Sequence, residues 1–266
     1  MAQWNKNTQE YLPHGTSLFE VVMLADEDGN PINTFGSASN IPISAGQLDG
    51  YSYVHKFGGN PLLNNSTEES MWDEGGLYPW ATMDTAATTL TTNAETGNNG
   101  AEITIQGLNE NWELTTEVLT LDGTAQTTSN SWKRVFRGFT SGSQAITDDF
   151  TLSKSGDVVL RIITAHQQTE MALYTVPAGK TAYMTTIDAS TLKNESITVR
   201  MMVREYGGVF RCRHVFQAST GQYNHEFTIP KGIPEKTDID LRALASSNNI
   251  SGYASFELIL VDNPTP

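Results

Sequence analysis

The feature that most limits what this chain can fold into is a two-residue alternation of apolar and polar side chains, repeated in short runs along its second half. From Ile197 to Glu205, Ile197, Val199, Met201 and Val203 fall on one side of an extended backbone, and Thr198, Arg200 and Arg204 on the other. Successive side chains of a strand point to opposite faces, so such a run predicts a strand with one face buried. Thr181 to Ala189 alternates in the same way, and so does the first half of Tyr253 to Val261. Met171 to Val176 ends at the turn Pro177-Ala178-Gly179-Lys180, and Gly207-Gly208 separates Ile197–Glu205 from Val209–Ala218 as a hairpin signal. With His225–Pro230 and Thr237–Arg242, about seven strands fall between residues 171 and 263, which suits a β-sandwich or jelly roll.

Between residues 85 and 165 the chain is rich in Thr, Ser and Asn and carries shorter runs: Ala101–Leu108, Leu114–Leu121, Trp132–Phe139 and Asp157–Ile163. Short Gly-, Asn- and Ser-bearing gaps separate them, a spacing that predicts antiparallel strands rather than βαβ units. Helix signals are almost absent. Residues 1–47 read as an N-terminal arm holding one strand, Ser17–Ala25, closed by the turn Asp28-Gly29-Asn30-Pro31. The acidic cluster Asp26-Glu27-Asp28 opens like a calcium loop but lacks the later ligands of one, so a turn is preferred. Residues 48–82 interleave aromatic rings with Gly58-Gly59-Asn60-Pro61 and Gly75-Gly76 and read as an irregular segment. The expected organisation is mainly β and antiparallel, sandwich or jelly-roll-like: an extended arm over 1–47, a β domain with aromatic and Gly-rich loops over 48–170, and a C-terminal β-sandwich over 171–263.

Charge and chemistry narrow the function. With 30 acidic against 16 basic residues the net charge is −14. A nucleic-acid binder draws most of its affinity from clustered Lys and Arg, so that class is disfavoured. Arg200, Arg204, Arg211 and Arg213 lie close in sequence but read as the solvated face of strands. The single cysteine, Cys212, rules out an intrachain disulfide and reads as a buried thiol. No run approaches the ~20 apolar residues of a membrane-spanning helix, so no membrane partner is expected. The residues after Met1 lack the apolar stretch of a secretory signal, which leads to the expectation of assembly in a cytoplasm. His14, His55, His166, His214 and His225 show no His-His or Cys-Cys metal spacing, and no phosphate loop or nucleophile elbow is present. Asp73 and Glu74, like Asp148 and Asp149, read as solvated loop acids rather than a glycosidase pair. No catalytic, cofactor-binding or metal-ligating residue is therefore assigned, and the chain is read as non-enzymatic. The candidate functional residues are the aromatics Tyr51, Tyr53, Phe57, Trp72, Tyr78 and Trp80, read as anchors of a protein interface because Tyr and Trp dominate such contacts. The alternative is that they pack onto a sheet.

Several phrases of the chain resemble a family of tailed-phage virion proteins found in marine and cyanobacterial phages. They are Lys56-Phe57-Gly58-Gly59-Asn60-Pro61, Met71 to Trp80, Tyr174 to Thr181, Gly207 to Arg211, Ile233 to Ile239 and Phe256 to Asn263. The resemblance spans roughly residues 45–263 and extends to Tyr11–Gly50. It implies a virion component, a capsid decoration (cement) protein in first place, with a neck or tail-associated adaptor as the nearest alternative. A receptor- or glycan-binding fibre component is a reading of another class. It also implies a homo-oligomer whose partners are the major capsid protein or neck and tail proteins. The family brings no active site.

Overall fold

The computed structural model describes residues 40–192, 195–219 and 221–264, with the backbone of four short strands before them. The chain divides into two compact units, Met1–Gln47 and Leu48–Pro266. In the first, β1 (Gln3–Asn5) pairs with β2 (Glu10–Leu12) and β3 (Leu24–Ala25) with β4 (Pro31–Ile32), followed by the short helix α1 (Asn40–Ser44). Of the strand expected over Ser17–Ala25, only Leu24–Ala25 is described. The rest of it, and residues 26–30 of the turn after it, lie outside the described residues, while Pro31 opens β4.

The second unit opens with β5 (Tyr51–Leu63) and β6 (Glu69–Ser70), followed by α2 (Trp80–Asp84). Next come β7 (Thr91–Thr92), β8 (Glu102–Leu108), β9 (Leu114–Thr120), β10 (Arg134–Thr140), β11 (Phe150–Lys154) and β12 (Asp157–Ile162). The chain then runs through β13 (Leu173–Thr175), β14 (Lys180–Thr191), β15 (Ser196–Arg204), β16 (Arg211–Ser219), β17 (Gln222–Ile233), β18 (Asp238–Ala245) and β19 (Ile250–Asp262).

Nine of these strands form two facing antiparallel sheets, ordered β17-β14-β19-β5 and β13-β18-β15-β16, with β6 pairing to the far end of β18 in the second. Their pairings are nested: β5 with β19, β13 with β18, β14 with β17 and β15 with β16. A long antiparallel ribbon, folded at the β15–β16 turn and rolled up on itself, produces this order, with β14–β19 and β15–β18 as the contacts made by rolling. The fold is a jelly roll. Its core holds Ile197, Val199, Met201 and Val203 of β15 against Met184 and Ile187 of β14 and Phe256, Leu258 and Leu260 of β19. These are the inward positions that the alternation marked.

Between β5 and β13 the roll carries an insert with two further sheets, β10-β8-β9 and β12-β11-β7, closed over Ile103, Ile105, Trp132, Phe150, Leu152 and Leu160. β5 belongs to the segment read from the sequence as irregular, yet it is one of the longest strands and pairs with the last. β18 shows what the insert does to the roll. Ile239, Leu241 and Ala243 face the sandwich core, while Asp238 and Asp240 on the opposite face are buried too. That second burial exists because the insert covers the outer face of the β13-β18-β15-β16 sheet, which leaves the outer face of the other sheet to solvent.

Lys56 of β5 points inward, 6% exposed, where its Nζ donates to the Phe136 carbonyl and lies over the Phe136 ring. Burial, with Arg137 adding repulsion, pulls its amine down from 10.5 to about 7. Between those values the unfolded chain holds a proton that the folded chain does not, so this residue makes stability rise with pH across the window, and contributes no slope below about 7. The expected result is a Tm difference between wild type and Lys56→Met that moves in favour of wild type as pH rises from about 7 to about 10. Thermal unfolding of both proteins across that range checks it, and a flat difference sinks it.

Candidate assembly surface

The six aromatic residues singled out in the sequence separate into two groups. Trp72, Tyr78 and Trp80 are 2%, 3% and 6% exposed, and offer no surface to a partner. Their rings form a run, Trp72 to Tyr78 at 5.1 Å, Tyr78 to Trp80 at 4.8 Å and Trp80 to Phe210 at 5.5 Å, each pair tilted or edge-on. The run lies in the joint between the insert and the roll. Reading these three as anchors for another protein is thus corrected: the surface they join is internal, because the β18 and β15 side chains beneath them complete the packing.

The same joint holds the densest charge network of the described residues. Arg134 of β10 bonds both oxygens of Asp238, at 2.9 and 3.1 Å, and Arg204 of β15 bonds Asp238 Oδ2 through two nitrogens at 3.0 and 2.6 Å. Both arginines also reach Asp84, which α2 presents, and Thr175 Oγ1 donates to Asp238 at 2.6 Å. Next along β18, Asp240 Oδ2 accepts from Ser70, Trp80 Nε1 and Arg242, while its Oδ1 has no partner among the described residues. Burial pushes the Asp240 carboxyl up against the opposing pull of Arg242, Trp80 and Ser70. Of the four arginines read as a solvated face, Arg204 is bound into this network and Arg200 pairs with Glu68, while Arg211 and Arg213 are exposed.

Tyr51, Tyr53 and Phe57 take odd positions on β5 and share the outer face of the exposed sheet. The register extends this into a patch across three strands. Ile259 of β19 stands opposite Tyr53 on one side and Tyr183 of β14 on the other, and Val261 opposite Tyr51. Tyr51 is 44% exposed, Tyr53 42% and Tyr183 38%. The Tyr53 hydroxyl donates to Glu257 Oε1 at 2.8 Å, and its pKa is pushed up to about 12 by burial and by Glu257. Tyr53 therefore keeps its proton, and a fixed ring, at any ordinary pH. Beyond the patch Phe57 lines a cavity of about 240 Å³ with His55, Gly58, Glu170, Ser190 and Tyr253. Tyr183 escaped the sequence reading because it lies within an ordinary alternating strand; the outward phase of that alternation was the available signal.

The edges of the roll on its far side are guarded against strand addition. β16 slips register at Arg213, and β17 loses its pairing between Glu226 and Lys231, where Ile229 is exposed next to Pro230. Bulges, Pro and positive charge are the devices that keep an open strand from pairing with another chain. The slip at Arg213 also turns Cys212 outward, so the thiol read as buried is exposed. Among the described residues no helix is long and apolar enough to cross a membrane.

No family model and no curated protein matches the chain. Solved structures with some likeness include the infectious bursal disease virus Gx strain, at 10% identity over 81% of this chain and 72% of that one, with a TM-score of 0.24. Another is the VP2 subviral particle of infectious bursal disease virus, at 10% identity over 81% and 73%, with a TM-score of 0.23. Overlap this loose ties the chain to neither.

Proposed function

We propose that the chain is a non-enzymatic structural component of a tailed-phage virion, a decoration protein that cements the capsid shell as one of many copies. The observation that carries this reading is the nested strand pairing, because jelly rolls of this kind build viral capsid domains, as well as lectins and cupins. One fold hosts many functions, so this support is by analogy. The phrases that resemble those of phage virion proteins turn it toward a phage particle. The insert occupies one outer face of the roll, so contact with the shell falls to the opposite sheet and its patch of Tyr51, Tyr53, Tyr183, Ile259 and Val261. Rigid tyrosines make good anchors. Many weak contacts across capsomer junctions then add by multivalency, the more so in a homo-oligomer. Assembly takes place in the host cytoplasm. A fibre component that binds glycan is the second reading, favoured by the cavity between Phe57 and Tyr253.

The test is cryo-EM of purified virions, paired with a Tyr53→Asp, Tyr183→Asp double variant added back to virions that lack the chain. Density for a jelly roll on the shell, lost or thinned in the variant, is the expected result. Density at the neck or tail alone overturns decoration in favour of an adaptor or fibre. Absence from the particle removes the virion reading.

A further inference from the structure

Three residues that the surface does not use meet where the insert returns to the roll. Asp73, His166 and Glu170 each present one ligand atom, and these atoms lie within 4.8 Å of one another. His166 Nδ1 stands 3.0 Å from Glu170 Oε1. Ligands bound to a cation at about 2.0–2.1 Å sit roughly 3–3.4 Å apart, so this pair is already at ligand spacing.

The loop that carries two of them is held in place by its own bonds. Gln167 adopts a positive φ of 58°. Its side chain donates to the Ile146 and Thr164 carbonyls and accepts from Ile146 N and Thr140 Oγ1. Thr164 is tied through both its amide and hydroxyl to Asp149. Asp73 is fixed across from the loop by a reciprocal pair: Asp73 N donates to the Glu170 carbonyl, and Glu170 N to Asp73 Oδ2 at 2.7 Å. A site whose ligands are positioned before the cation arrives loses little freedom on binding.

An independent observation concerns charge. Asp73 is only 6% exposed, and no Lys or Arg among the described residues pairs with it or with Glu170. Arg161, the cation whose field reaches Asp73, is committed to Asp149 at 2.8 Å and Glu74 at 3.2 Å. A buried carboxylate that faces a second carboxylate without a cation is costly, and a proton or a metal ion relieves it.

We propose that Asp73, His166 and Glu170 bind one divalent transition cation, Zn²⁺ or Mn²⁺. One imidazole with two carboxylates suits these ions better than Ca²⁺ or Mg²⁺, which favour all-oxygen shells. The cation links Trp72-Asp73 at the start of the insert to His166 and Glu170 at its end, and so staples both connections between insert and roll. The sequence carried half of the signal, the His166-x₃-Glu170 spacing. Asp73 is distant in the chain, and only the fold brings it in.

Isothermal titration of the chelator-treated full chain with Zn²⁺, Mn²⁺ and Ca²⁺ tests this, on wild type, His166→Gln, Asp73→Asn and His214→Gln. The expected result is one equivalent of Zn²⁺ or Mn²⁺ in wild type, an unchanged His214→Gln, and weakening by about 10-fold or more in His166→Gln, at least the loss that follows removal of an outer-shell partner. The His166 side chain is 41% exposed, so its variant keeps the wild-type melting curve without metal even where Asp73→Asn fails to fold. Binding untouched by His166→Gln overturns the site, as does binding lost in His214→Gln, whose ring stacks on His225. Uptake of neither transition ion, or of Ca²⁺ alone, overturns it too.

Discussion

Replacing Gly58 by alanine is expected to cost about 4–5 kcal/mol or more, the exceptional range for one substitution. A Cβ built there comes to 2.1 Å from the Met71 carbonyl oxygen and 2.4 Å from the Ala172 amide nitrogen. Those two atoms are bonded to each other at 2.9 Å, and they belong to the segments that lead into and out of the insert. Both run directly beneath β5 at Gly58. Backbone on both sides cannot swing away as a side-chain tip would, so the methyl group must push β5 off β19 or part the two connecting segments. A fall in Tm on the order of 10–20 °C should follow, with loss of soluble protein in expression as the extreme. Gly232→Ala is the matched control. A Cβ there meets only the edge of the Tyr183 ring at 3.5 Å, an ordinary contact, and stability should stay within about 0.5 kcal/mol. Equal melting temperatures for the two variants would show that β5 does not pass where the structure puts it.

The second large effect belongs to Asp238→Ala. Asp238 accepts from Arg134, Arg204 and Thr175, and both it and Arg134 are almost wholly buried. Truncating it leaves the Arg134 guanidinium buried with only Asp84 and carbonyl oxygens around it, and removing one partner of such a pair costs about 3–5 kcal/mol. That corresponds to a drop in Tm of roughly 6–20 °C for a domain of this size. The pairing is distinguished from simple volume loss by Asp84→Ala, whose carboxylate is 41% exposed and whose removal should cost far less. If the two variants melt together, the buried network is not what holds the insert to the roll.

What the sequence disclosed follows a physical line. β14, β15 and β19 were legible because one of their faces is buried and the alternation records it, and the Gly207-Gly208 and Pro177–Lys180 turns could be read from turn chemistry alone. β5 was missed because Gly58-Gly59-Asn60-Pro61 looks like a loop. Gly58 is there for a close approach of two backbones, and Pro61 falls in the register slip between Asn60 and Leu63 on an edge strand, where a missing N–H does no harm. The aromatic anchors were half legible. Tyr51, Tyr53 and Phe57 follow the pleat of β5, whereas the fate of Trp72, Tyr78 and Trp80 depends on Asp238, Arg204 and Phe210, far along the chain. Asp73 was read as a solvated acid for the same reason: nothing near it in sequence announces that Glu170 closes over it. Cys212 is the converse case, where a single bulge reverses the burial that alternation implies.

The pairing of the first strand of the roll with its last has a mechanical consequence. Tyr51 stands opposite Val261, and Asp262 N donates to the Gly50 carbonyl, so the chain enters and leaves the roll side by side on antiparallel strands. Inter-strand bonds run perpendicular to the strands, and a load pulling the two ends apart therefore meets them one rung at a time and peels β5 from β19. A load spread over the outer face of the sheet is instead shared by β5, β19 and β14 together. In the proposed decoration role, the chain is better gripped by that face than by its ends, and the tyrosine patch is where such a grip would fall.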